Sequence, residues 1–176
     1  MVNLGADENE KDTIYPLPLN TFSALLQYEV IAVKSCFPNS NIQSEEQFVQ
    51  FQEYYFSIRD RADQYTNKVF IILASPPLNP AETNVQTAVR ARAMAQWLTS
   101  DEYLRGHPNL FTFDLFGYLA EKNTAAPDAN MLLQAYRAGT DSHPNQVANE
   151  TIAPLFVDFV TQAVQQDRST HSSTLR

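Results

Sequence analysis

The chain has 176 residues, 44% apolar and 18% charged, which suits one globular domain with a buried core and lies outside the composition of disordered chains. Its formal net charge of −8 speaks against nucleic acid as a partner, because phosphate neutralisation needs a basic face. No apolar run approaches the roughly 20 residues of a bilayer span, and the acidic opening MVNLGADENEKD lacks the form of a signal peptide.

In chain order, residues 2–4 (VNL) read as a short strand-like opening, and the acidic group at Asp7, Glu8 and Glu10 as a solvated loop. Residues 29–34 (EVIAVK) form the first clear strand, short, β-branched and bounded by breakers. Lys34 at its end either snorkels or pairs with a carboxylate such as Asp114. The loop SCFPNSN follows, and Ser44 then N-caps a helix over 45–65 with Phe48, Phe51, Tyr55, Ile58 and Ala62 at helical spacing. Residues 69–74 (VFIILA) make the second strand and lead into SPPLNP. A helix over 80–100 takes Pro80 near its first turn and carries Val85, Ala88, Val89, Ala95 and Leu98. His107, in GHPN, belongs to a surface turn, and residues 110–114 (LFTFD) are the third strand. The last helix, over 146–165, shows Ile152, Leu155, Phe156, Phe159, Val160 and Val164 on one side, with Pro154 kinking it or lying in its first turn. Residues 167–176, His171 among them, have no periodicity and read as a frayed tail, so the domain is expected to occupy 1–166.

Strands alternating with helices over crossovers longer than a dozen residues imply an α/β fold with a mainly parallel sheet covered on both faces. In such sheets chemistry gathers at the carboxyl ends of the strands. There the chain places SCFPNSN, SPPLNP, Asp114 and the turn GTDSHPN. In that turn Asp141 and His143 read either as a general acid–base pair, the carboxylate fixing the imidazole tautomer, or as a helix cap beside an exposed histidine. Asn39 is either an oxyanion donor or an Asx-turn residue. Ser35 and Cys36 are candidate nucleophiles by chemistry, although a cysteine directly after a buried strand is more often a packed apolar residue.

Cofactor motifs are missing. The glycines, Gly5, Gly106, Gly117 and Gly139, make no GxGxxG, P-loop or GxSxG pattern. Cys36 has no partner for an internal disulfide or a cysteine zinc site, and no histidine pair has HxxxH spacing. No cofactor or metal is expected. A single thiol is compatible with a reducing compartment but does not specify one.

SCFPNSN after one strand, VFIILASPPLNP, LFTFDLF, and DSHPN before a C-terminal helix together resemble the SGNH (GDSL-type) hydrolases over about residues 2–165. The resemblance implies a flavodoxin-like three-layer sandwich and ester or acyl hydrolysis of a small or carbohydrate-linked ester. It implies His143 as base, Asp141 as its acid and Asn39 as oxyanion donor. Two departures stand out. The spacing here is DxH where the family commonly has DxxH, and the GxND block is not present as such. The GDS-like nucleophile turn is not found, so the first βα unit is expected to be missing, leaving Ser35, Cys36 or a serine on an absent segment as nucleophile. Either the chain is an esterase or it is an inactive relative that keeps a binding rim. In the family's strand order the missing strand would lie between residues 2–4 and strand 29–34. The edge bearing Val30, Ile31 and Val33 then needs residues 2–4, another segment or a second copy of the chain.

Overall fold

The computed structural model describes residues 21–174. The expected strand at residues 2–4 lies outside them. A short helix α1 (Thr21–Leu25) leads into β1 (Val30–Lys34) and a 3-10 turn at Phe37–Ser40. Then come α2 (Glu45–Ala62), β2 (Val69–Leu73), α3 (Val85–Leu98), α4 (Asp101–Leu104), β3 (Leu110–Phe113) and α5 (Leu115–Leu119). A second 3-10 turn, Gln134–Tyr136, precedes the long helix α6 (Gln146–Thr174). The described strands form one three-stranded parallel sheet in the order β1-β2-β3, as the alternation of strand and helix implies.

Period-two alternation sorts the strand residues onto two faces. Ile31, Val33, Phe70, Ile72 and Leu110 join a core with residues of α1, α2, α3 and α4. Val69, Ile71 and Phe113 join a second core beneath α6, built with Ala148, Ile152 and Ala163. β2 is central and buried over Val69–Ile72, which explains its unbroken apolar sequence. β1 differs. Ala32 and Lys34, on its α6 side, are exposed, since α6 packs over β2 and β3 instead. Lys34 therefore makes no pair with Asp114. Its ammonium donates to the carbonyl of Ser35 at 3.4 Å, and β2 stands between the two strand ends.

Helix ends follow their capping chemistry. Ser44 accepts the Gln47 N–H at 3.2 Å, with Glu45 and Glu46 in the first turn of α2 and Arg59 and Arg61 in its last. The third expected helix starts later than Pro80. Asn79 accepts the Ala81 N–H in a separate turn, and Asn84 then caps α3 by accepting the Thr87 N–H at 3.0 Å. Val85 and Val89 are exposed, and the buried side of α3 is Ala88, Ala91, Met94, Ala95, Trp97 and Leu98 together with Thr87. The expected tail is helical through Thr174, because nothing in residues 167–174 breaks a helix already seated on the sheet, and the helix passes through Pro154. Leu155 faces solvent.

Buried polar groups knit the layers. The Tyr103 hydroxyl donates to the Tyr55 carbonyl at 3.0 Å, and burial pushes its pKa up. Asn109, 2% exposed, donates through Nδ2 to the carbonyls of Ala62, Tyr65 and Lys68 at 3.1–3.2 Å, tying the end of α2 to the starts of β2 and β3. Removing it strips three carbonyls of a shared donor. Asn109→Ala should lower the unfolding free energy by about 2–3 kcal/mol in urea titration, whereas an unchanged midpoint would mean that these carbonyls find other partners at no cost.

Candidate functional site

The loops after β1 and β2 and the turn before α6 meet at one rim. Ser40, buried at the end of the first 3-10 turn, donates to the Pro76 carbonyl at 2.7 Å and fastens the β1 loop to the β2 loop. Asn79, 4% exposed, does the same for the next pair. Its Nδ2 donates to the carbonyls of Gly139 and Asp141, both at 3.0 Å, and its backbone N–H donates to Ser142 Oγ at 2.9 Å. Ser142 is fully buried, and its hydroxyl donates in turn to the Glu82 carboxylate. A turn with few apolar groups is thus held by polar ones.

Behind it, Asn145 N–H donates to the Tyr136 carbonyl at 2.8 Å, and Asn145 Oδ1 accepts the Ala148 N–H at the start of α6. Asn145, not Asp141, caps that helix. Arg137 donates to the Leu132 carbonyl at 2.8 Å and pairs with Asp128, whose carboxyl it holds below the usual aspartate range.

With Ser142 turned inward, Asp141 and His143 turn outward on either side of it. Asp141 Oδ1 accepts the His143 backbone N–H at 2.7 Å and meets the ring Nδ1 at 3.0 Å. An ionised carboxylate only accepts, so Nδ1 carries the proton and Nε2 is the free basic nitrogen of the neutral ring. The ring also stands edge-on to Phe37, with centroids 4.7 Å apart and planes at 82°. Phe37 opens the turn that holds half-buried Asn39, so the imidazole and the Asn39 turn share the rim. The His143 and Asp141 side chains are 71% and 59% exposed.

The candidate nucleophiles sit elsewhere. Ser35, the residue just past β1, is 8% exposed and turned toward the core, where its hydroxyl bonds the Tyr55 hydroxyl at 3.0 Å. Alternation explains this, since Ser35 continues the inward series Ile31, Val33. Cys36 falls on the opposite, uncovered side and is exposed, not packed. Among the described residues the His143 ring nitrogens hydrogen-bond to Asp141 alone. His107 is less exposed than its turn suggested, because Nδ1 is held by the Asp63 carboxylate at 2.8 Å. No group of His, Cys, Asp and Glu suited to a metal ion occurs among the described residues, and no described helix is long and apolar enough to cross a membrane.

Sequence reasoning missed Asn79, Ser142 and Glu82. The available signal was Asn79 between Leu78 and Pro80 in a loop at a strand's carboxyl end. The Asp141 carboxyl is held below its ordinary pKa first by the His143 backbone N–H and then by the ring. His143→Ala removes only the second. Carboxyl-carbon NMR should place the Asp141 midpoint below the ordinary aspartate value and show it rising only part of the way in that variant. A full return would mean that the ring, not the backbone, dominates. Comparison with protein-family models, curated proteins and solved structures finds no match to this chain.

Proposed function

We propose that the chain carries the acid–base half of an SGNH-type ester or acyl hydrolase on a flavodoxin-like layout, with its nucleophile supplied from beyond residues 21–174. The observation that carries this reading is the Asp141–His143 pair at 3.0 Å, its ring seated against the turn that holds Asn39. In this mechanism His143 Nε2 takes the proton of a hydroxyl as its oxygen attacks the ester carbonyl. Asp141 stabilises the resulting imidazolium, and the Asn39 amide donates to the oxyanion. Collapse expels the alcohol, which leaves with the proton from Nε2. Water then attacks the acyl group by the same path. The substrate is a small or carbohydrate-linked ester. The edge of β1, paired only with β2 among the described residues, is where a further strand, from this chain or a second copy, would complete the site.

Ser35 favours a second reading. With its hydroxyl committed to Tyr55 in the core, the rim alone is a non-catalytic binding module. A fluorophosphonate probe applied to the whole 176-residue chain separates the two readings. Catalysis predicts a labelled residue, found by mass spectrometry, and p-nitrophenyl acetate turnover that falls at least about a hundred-fold in His143→Ala. No label and equal turnover in both proteins would leave the binding module.

A further inference from the structure

Beyond β3, the strand at the opposite edge of the sheet from β1, lies a cleft of about 700 Å³ that the dyad does not touch. Its walls include Phe113, Asp114 and Tyr118 from the end of β3 and α5, Arg92 from α3, and Lys122 and Asn130 from the following loop. Arg92 is the unusual member. Its guanidinium lies over the Phe116 ring at 4.7 Å, and its Nε donates to Asn130 Oδ1 at 3.0 Å. Asn130 holds that position in the left-handed region, at φ 64°. Stacked on one side and pinned at Nε, the fork keeps its terminal amino groups free, since no hydrogen bond engages them among the described residues. Burial holds the Arg92 pKa below its ordinary value and the nearby Asp114 offsets only part of this, while Asp114 Oδ1 accepts the Gly117 N–H at 2.8 Å. Thr112, also in the wall, has a buried hydroxyl with no hydrogen-bond partner.

This half-buried guanidinium loses hydration that Asp114 offsets only in part and keeps its terminal amino groups without hydrogen bonds among the described residues, and a planar oxyanion would supply charge and hydrogen bonds in bidentate geometry. We propose that this cleft is a binding site for an oxyanion group carried on an apolar or aromatic body, clamped between the Arg92 fork and Lys122, with Phe113 and Tyr118 against the body. Asp114 limits the negative charge the cleft tolerates, so a single carboxylate suits it better than a phosphate dianion. The site is separate from the Asp141–His143 rim and independent of its chemistry.

The test titrates the whole chain with benzoate, inorganic phosphate and neutral benzamide at constant ionic strength. Arginine Nε–H signals and backbone amides are followed by NMR. Benzoate should give saturable shifts at Arg92 and at residues 113–118, and benzamide none. Arg92→Lys keeps the charge but loses the fork and should weaken benzoate about ten-fold. Lys122→Gln, at an exposed position, should weaken it several-fold even if Arg92 variants fold poorly, and His143→Ala should bind as the parent does. Stronger binding of inorganic phosphate than of benzoate would overturn the assignment to a single carboxylate on an apolar body. The proposal is overturned if no anion shifts these signals saturably, or if Lys122→Gln binds as the parent does.

Discussion

The rim depends on one buried side chain. Asn79 must satisfy its own amide and the carbonyls of Gly139 and Asp141, and it does both with one set of hydrogen bonds, so neither segment is settled without the other. The Asp141–His143 contact is exposed, and solvent screening leaves it weak as a source of position. What places the imidazole is the clamp beneath it, where Ser142 is sealed from water between the Asn79 N–H and the Glu82 carboxylate. The polar geometry follows from a burial requirement: a donor or acceptor sealed from water costs more unpaired than the bond itself contributes.

The same logic runs through the rest of the fold. Asn109 closes the junction of α2, β2 and β3 with three carbonyls, and Tyr55 links α4 to the end of β1, its carbonyl accepting from the Tyr103 hydroxyl and its own hydroxyl bonding Ser35 just past the strand. A sheet with only three described strands has a modest apolar core on each face. Its loops are therefore set by polar contacts that allow few alternative arrangements. Such networks specify one geometry when every member is satisfied.

Much of this was legible in the sequence. The strands were marked by brief β-branched runs, and all three lie where those runs are, shorter by a residue at one end. α2 was marked by Ser44 and its apolar spacing. Misreadings came where two local rules competed. Pro80 fits a helix's first turn, but Asn79 and Asn84 each make their own turn or cap, and these side-chain acceptors moved the start to Val85. Val85 and Val89 are apolar residues that tertiary packing does not use. Ser35 was judged by its chemistry, although the parity of Ile31 and Val33 already pointed it inward. The network of Asn79, Ser142 and Glu82 joins residues about sixty apart in sequence, and no local pattern encodes such a contact.

One asymmetry organises what this rim is able to do. Around β2 and β3 both faces of the sheet are covered, whereas along β1 the residues Ala32, Lys34 and Cys36 are exposed, and His143 is exposed nearby against Phe37. A general base works best where its charged partner is shielded from water, because the imidazolium formed on proton transfer is then stabilised most strongly by the carboxylate. In the mechanism proposed above, the exposed Asp141–His143 pair lacks that shielding, as it lacks a nucleophile among the described residues. A segment packed on the outer side of β1 would, in that mechanism, cover the exposed residues of the strand and shield the Asp141–His143 pair together, which ties the completion of the fold to the site.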